Sequence, residues 1–234
     1  MKFIPANNEN KFSCIRLGSI MLLIVIQTIL VGCKVSSNPN HIYQLGRKWT
    51  YDVHFLDGNG ILTDSCRLVA EVKKGNFVSF LAGQQNLTYT YEDCCRKTIY
   101  ESTGVDEDTS GVFIHPPRQD CFAFTQIAPM PSISLPPDIG SKREIELKVV
   151  KSTLKELNGK TVAQILTVTG VDSFAYKEVY LPVYVLEGQN TNYREEFGIY
   201  HCRFFFNEKL GFVLLEYVKP DGQKVIIRLV ETNF

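Results

Sequence analysis

The residue types able to carry chemistry are scattered along this chain. Four histidines stand at His41, His54, His115 and His201, and no two share a metal-ligand spacing. Five cysteines lie in the main body: Cys66, Cys94, Cys95, Cys121 and Cys202. A zinc site needs C-x₂₋₄-C or a paired His. Cys94 and Cys95 lack the spacer, and His201 and Cys202 point to opposite faces of an extended strand, so no metal is expected. A Cys–His pair made from Cys121 with His115 or His201 needs spatial proximity that sequence alone does not supply. Two acidic clusters, "GVDEDTS" at 104–110 and "YREEFG" at 193–198, offer carboxylates for acid–base work. Each reads more simply as a solvated turn. No G-x-S-x-G nucleophile elbow occurs. "NGKT" at 158–161 lacks the upstream glycine of a phosphate loop. No catalytic residue and no cofactor follow from these patterns. Asn86-Leu87-Thr88 fits a glycosylation sequon, which matters only in a eukaryotic host.

The strongest chemical signal lies near the start. Ile20 to Val31 is a twelve-residue apolar run, broken only by Gln27 and Thr28. A spanning helix needs roughly 20 apolar residues, whereas the apolar core of an export signal has about 7 to 15. Lys2, Lys11 and Arg16 precede the run against one acid, Glu9, and hold that end on the cytoplasmic side. The run closes on Leu30-Val31-Gly32-Cys33. These four residues resemble the lipobox of bacterial lipoproteins. The resemblance implies cleavage between Gly32 and Cys33, diacylglycerol on the Cys33 thiol and an acylated new amino terminus. Several acyl chains anchor far better than one, each buried CH₂ contributing about 0.8 kcal/mol. A retained signal anchor and an ordinary secretory signal are the alternatives, although no A-x-A site lies near the run. Lys34 is not the aspartate that, in the enterobacterial pattern, retains lipoproteins in the inner membrane. By that resemblance the outer membrane is favoured, with the protein facing the periplasm. The polar "KVSSNPNH" that follows reads as a flexible tether.

Removal of residues 1–32 leaves 202 residues, enough for one domain with a sizeable core. The 25 basic and 25 acidic residues become 22 and 24, so no basic excess points to nucleic acid. In an oxidising compartment Cys66, Cys94, Cys95, Cys121 and Cys202 are candidate disulfide partners, giving two bonds and one odd thiol. Adjacent Cys94 and Cys95 would pair with distant partners. Buried, inert thiols are equally consistent with the sequence.

Strand signals dominate the remainder. Trp49, Tyr51, Val53 and Phe55 alternate with polar residues, and "DGNG" at 57–60 turns the chain. Strands follow at Ile61–Val72, Phe77–Leu81 and Leu87–Tyr91. Six of the ten prolines fall between His115 and Pro137, which excludes a central strand there. The apolar content of this loop, including Phe122, Phe124 and Ile127, says that it packs: as a crossover over one end of a barrel or sandwich, or as a lid or partner-binding segment. The second half reads as hairpins: Ile145–Val149, Asn158-Gly159 as the tightest turn signal, Val162–Val168, Glu178–Leu186, Gly198–Phe206, Phe212–Val218 and Val225–Glu231. Pro182 makes its strand an edge or a bulged one. The last two strands are nearly continuously apolar, as if covered on both faces. The terminal Phe234 is the sole feature shared with membrane barrels, and the last strand does not alternate cleanly.

Nine or ten strands without crossover helices predict an all-β fold: a single antiparallel sheet-rich domain, half-barrel, barrel or sandwich, after a lipoprotein signal peptide. The expected organisation is 1–32 signal peptide, 33–42 lipidated Cys and tether, and 43–234 β domain with the Pro-rich loop 115–137. The lipobox, the tether, "LGRKWTYDV" and the closing "LGFVLLEYVKPDGQKVIIRLV" together resemble small β-rich lipoproteins of Bacteroidota. The resemblance implies a membrane-anchored envelope protein with a non-catalytic binding or structural role, its partner a lipid, a peptide or an envelope protein. The alternative is a carboxylate-dependent envelope hydrolase, which requires two carboxyl groups converging in a cleft.

Overall fold

The computed structural model describes residues 41–75, 85–92, 94, 99–149, 152 and 154–234. The signal segment 1–32, Cys33, most of the tether, Cys95 and the expected strand Phe77–Leu81 lie outside the described residues. Residues Asn40–Phe234 form one unit.

Alternation makes the strands. In β1, Lys48–Leu56, the side chains of Trp49, Tyr51 and Val53 turn inward and are buried, while Thr50, Asp52 and His54 face out. Strand β2, Leu62–Lys73, buries Leu68, Ala70 and Val72, and β3, Gln85–Glu92, buries Leu87, Tyr89 and Tyr91. Next come β4 (Ile99–Glu107), β5 (Gly111–Ile114), β6 (Ser132–Ser134), β7 (Lys142–Lys148), β8 (Thr161–Tyr176), β9 (Val179–Asn190), β10 (His201–Asn207), β11 (Gly211–Val218) and β12 (Lys224–Thr232). All pair antiparallel in one twelve-stranded sheet, ordered β6-β5-β4-β3-β2-β1-β12-β11-β10-β9-β8-β7. The fold class is therefore all-β, and the sheet is a nearly closed barrel.

Two meanders, β1 to β6 and β7 to β12, are stitched by the pairing of the first strand with the last, from Trp49 opposite Thr232 to Leu56 opposite Lys224. The two edges, β6 and β7, are consecutive in the chain. Arg143 on β7 reaches across the seam, its Nη1 donating to the Ile133 carbonyl at 3.4 Å. Cys66 on β2 is disulfide-bonded to Cys94, across 28 residues, which restricts the unfolded chain by roughly 3–4 kcal/mol.

The registers put the start of β1, the β4–β5 turn, the β10–β11 turn and the C-terminus at one end of the barrel, called proximal here. The incoming chain is fastened there: the Glu107 carboxylate accepts the Ile42 and Tyr43 amides at 2.7 and 2.8 Å. Trp49 Nε1 donates to the Leu210 carbonyl at 2.7 Å, and the indole packs on Tyr43 and Phe234. The β1–β2 and β11–β12 turns mark the distal end.

The Pro-rich segment is the crossover over one end of the barrel that the sequence allowed, with its apolar side chains packed into the core. From Pro116 it runs across the distal end, makes a 3₁₀ turn at Asp120–Gln126 and returns through β6. Phe122, Thr125 and Ile127 are completely buried. Phe122 meets Phe55 and Tyr91, and Phe124 meets Tyr200 and Tyr217, so both sheet halves share one plug.

Several expectations change. The sheet has twelve strands rather than nine or ten, because β4, β5 and β6 gave no clear alternation. Asn158-Gly159 does not form a two-residue hairpin. A 3₁₀ turn at Lys155–Leu157 intervenes, and Leu157 is pulled into contact with Ile127 and Val162. Strand β8 runs past Val168 through a bulge at Val168/Gly170 to Tyr176. Strand β9 is not an edge: it pairs with β8 and β10. Its ladder to β10 stops at Tyr184, so Pro182 needs no donor on that side. Beyond the bulge the β8–β9 hairpin lies across the outside of the sheet. Arg228 of β12 stacks on Phe174 at 4.4 Å and donates to the Ala175 carbonyl at 2.9 Å, and Tyr176 bonds Thr232 at 3.1 Å. Phe205 and Leu214, on the outer face, are thereby buried, which accounts for the doubly apolar late strands.

Gly188 on β9 shows how tight the wall is. A β-carbon there would collide with the Ile165 carbonyl and with Leu166, and would crowd the Cys202 sulfur. Gly188→Ala is therefore expected to overpack the sheet by about 1–3 kcal/mol and lower Tm by roughly 3–10 °C, read by calorimetry. An unchanged or raised Tm would contradict this packing.

Candidate functional site

Three places are candidates for function: the interior, an outer polar groove and an apolar pocket at the proximal end.

The interior is filled. Among the described residues, a void between Tyr43, Tyr51, Tyr89 and Leu215 measures about 10 Å³, at most the room for one water. Burial pushes the phenols of Tyr43, Tyr51, Tyr89 and Tyr217 up, so they stay protonated. Tyr51 donates to the Phe212 carbonyl at 3.1 Å and Tyr89 to the His115 carbonyl at 2.9 Å. Inward side chains of the strands, with Ile114 and Pro117 at the start of the Pro-rich segment, line this void.

Among the described residues, Glu101 on β4 is the one buried acid. Its carboxylate accepts the Arg118 and Gln119 amides at 2.7 and 3.2 Å and lies 3.7 Å from Arg118 Nε. Burial raises its pKa, against the lowering effect of these donors. These partners commit the group to holding the mouth of the plug. Just before it, His115 packs edge-on against Phe113, and its Nδ1 is buried without a protein partner.

The outer groove has a volume of about 510 Å³ across β8–β11. Register places Thr167, Glu187, Arg203 and Glu216 in one row, with His201 in the next. Arg203 pairs with Glu187 at 3.8 Å and Asp172 at 3.7 Å. The groove is shallow and open, and its only cation is already neutralised by two acids.

The apolar pocket, about 480 Å³, lies between the leaning β8–β9 hairpin and the β10–β11 turn. That falls within the range of about 300–1,000 Å³ usual for ligand pockets. Val171, Val179, Leu181, Val183, Tyr184 and Leu210 form its apolar walls, with Lys209 and Glu208 at the rim. Asn207 fixes the two walls by donating to the Pro182 carbonyl at 2.9 Å. Sequence reasoning missed this site, since it depends on a hairpin folding back over the sheet. Pro182 within an apolar strand was the one available hint.

The residues singled out by sequence separate as follows. Cys66 and Cys94 are joined, and Cys121 is also disulfide-bonded, which removes it as a nucleophile for His115 or His201. Cys202 is a free, buried thiol and so leaves the set of disulfide candidates; burial pushes its pKa well up. The "GVDEDTS" acids are structural: Glu107 holds Ile42 and Tyr43, and Asp108 caps the turn by accepting from Ser110 and Gly111. Glu195 and Glu196 are exposed on the short helix Arg194–Phe197. Among the described residues no three His, Cys, Asp or Glu side chains gather as a metal site.

The described domain is thus a twelve-stranded, nearly closed antiparallel barrel with a filled interior. No protein-family pattern matches the chain, and no curated protein matches it in sequence. In structure it is similar to a proposed lipoprotein from Parabacteroides distasonis, at 9% identity and TM-score 0.48, over 82% of this chain and 96% of that one. It is similar to a proposed exported protein with a YmcC-like fold from Bacteroides fragilis, at 10% identity and TM-score 0.46, over 82% and 97% of the two chains. It is also similar to a β-barrel-like protein of a domain of unknown function from Brucella abortus, at 9% identity and TM-score 0.44, over 80% and 97%.

Two outcomes follow from the interior groups. The His115 imidazole is held down to about 4 by burial, with Arg118 adding to the effect. The unfolded chain binds this proton near pH 6.5 and the folded chain does not. Its stability contribution is therefore full above pH 6.5 and is lost as pH falls towards 4, about 2–3 kcal/mol at pH 4.5. Glu101, with a raised pKa, acts in the opposite sense. Urea unfolding at pH 7 and pH 4.5 should show a smaller acid loss in His115→Phe than in the wild type, by that amount. Second, peptide mapping after iodoacetamide should find Cys202 alkylated only in denatured protein; rapid labelling in the native state would contradict its burial.

Proposed function

We propose that this chain is an envelope lipoprotein, cut between Gly32 and Cys33 and anchored by lipid on Cys33. Its domain faces the periplasm, with the outer membrane favoured by Lys34. Its role is to bind rather than to transform, and the binding place is the apolar pocket at the proximal end. The observation that carries the reading is Leu30-Val31-Gly32-Cys33 at the end of a twelve-residue apolar run behind a basic segment. The Cys66–Cys94 bond supports it, because structural disulfides persist in oxidising compartments outside the cytoplasm. The pocket supports the binding role: it is apolar, of ligand size, and walled by two elements that a hydrogen bond fixes in place.

Radiolabelled palmitate fed to bacteria expressing the full chain should label the wild type and leave Cys33→Ser unlabelled. Density-gradient separation should place the labelled protein in the outer-membrane fraction. Absence of label on the wild type, with residues 20–31 retained by mass, would make that run a signal anchor and overturn the lipoprotein reading.

A further inference from the structure

The tether and the apolar pocket meet at the same end of the barrel. The last tether residue, His41, leads into Ile42 and Tyr43, which Glu107 fastens at the proximal end. Tyr43 packs on the far side of the β10–β11 turn, its hydroxyl oxygen accepting from the Phe212 amide at 3.3 Å. The near side of that same turn, Glu208 to Leu210, is a wall of the pocket. From Cys33 to His41 the chain advances eight residues, which span at most about 28 Å when fully extended. Lipid on Cys33 therefore keeps the proximal end within that distance of the bilayer surface.

We infer that the pocket takes the acyl chain of a single-chain amphiphile, a fatty acid or lysophospholipid, drawn from the membrane that holds Cys33. This rests on the lipoprotein reading above and names the ligand class of its site. Three features fit this occupant. The pocket is apolar on its walls and open at its mouth. The hairpin offers exposed apolar side chains for the ligand to cross, Val171 and Val179 being 57% and 54% exposed. Beyond them Tyr180, 77% exposed, presents an aromatic ring of the kind that sits at lipid headgroups. Lys209 beside Glu208 at the rim, and Lys177 beside Glu178 at the hairpin tip, where the Lys177 ammonium lies 5.3 Å from the Tyr176 ring centroid, give the mouth charges of both signs for a polar head. A polar peptide would leave its backbone groups unpaired against these walls.

The protein carries its own probe. Trp49 is the single tryptophan, and its indole bonds Leu210, a pocket wall. Full-length protein in phosphatidylcholine vesicles would be titrated with doxyl-stearate while Trp49 fluorescence is followed. Flotation with the vesicles, in the wild type and in Cys33→Ser, is read separately and reports the anchor. Saturable quenching is expected, with apparent affinity at least tenfold weaker in Val171→Asp/Val179→Asp. Both side chains are more than half exposed, so the fold is retained, which circular dichroism verifies. Several outcomes would overturn the inference: no quenching, or quenching that rises linearly and equally in both proteins. Equal quenching by doxyl-phosphatidylcholine would make the proximal end a bilayer contact instead. Quenching that appears only in Cys33→Ser would make the protein's own acyl chain the occupant. Loss of flotation with saturable quenching intact would sink the anchor and spare the pocket.

Discussion

A twelve-stranded sheet curled nearly to closure encloses more space than its own inward side chains fill, and the rest of this structure depends on how that space is occupied. An empty apolar interior forfeits dispersion contacts and stays dry; a polar one would admit water. Here the apolar side chains of the Pro-rich segment fill part of that volume from the distal end. Prolines suit the task, because a segment crossing the end of a barrel has no ladder to join and the ring removes a donor that would need a partner. Several of the polar groups that remain are met individually, although His115 Nδ1 and the Tyr91, Ser132 and Tyr217 hydroxyls are buried without a protein partner. Glu101 receives the amides of Arg118 and Gln119, Thr125 donates to the Pro117 carbonyl, and Gln164 of β8 accepts the Met130 amide.

The same segment explains why the domain forms one core rather than two. Each meander alone would be a curved sheet with an uncovered face. The plug touches both, and β1 pairs with β12 at the opposite wall, so neither half completes its burial without the other. Most of these contacts join residues far apart in sequence, a topology in which loop-closure entropy is overcome late in folding. The disulfide between Cys66 and Cys94 reduces that cost within the first meander.

With the interior packed, the larger spaces among the described residues lie on the outside of the barrel. The long β8–β9 hairpin becomes the element that creates a site, since the bulge at Val168/Gly170 turns its outer half over the sheet. What it does not cover remains as a pocket beside the β10–β11 turn. That turn also supports Trp49 and Tyr43, and through Glu107 it neighbours the point where the tether arrives. The entry point of the chain at Ile42 and Tyr43 and the pocket thus share the proximal end of the barrel.

The sequence by itself determined the all-β class, the positions of most strands and the inward faces of β1, β3 and β10. Period-two alternation is local and each such strand displays it. The lipobox-like Leu30-Val31-Gly32-Cys33 was equally legible, being a contiguous pattern. Strands β4 to β6 were not, because their inward positions hold Glu101, Thr103 and Ser132; partners elsewhere in the chain compensate the burial of Glu101 and Thr103, while the Ser132 hydroxyl is buried without a protein partner. Tertiary structure alone decided that the Pro-rich loop is a crossover packed into the core, that Asn158-Gly159 ends a longer connection and that Cys202 stays free while Cys66 meets Cys94. It also decided that the apolar outer faces of β10 and β11 are covered by a hairpin leaving a pocket. The physical reason is common to all of these. Each depends on which surface two distant segments exclude from water together, and that quantity is a property of their arrangement in space rather than of any local pattern.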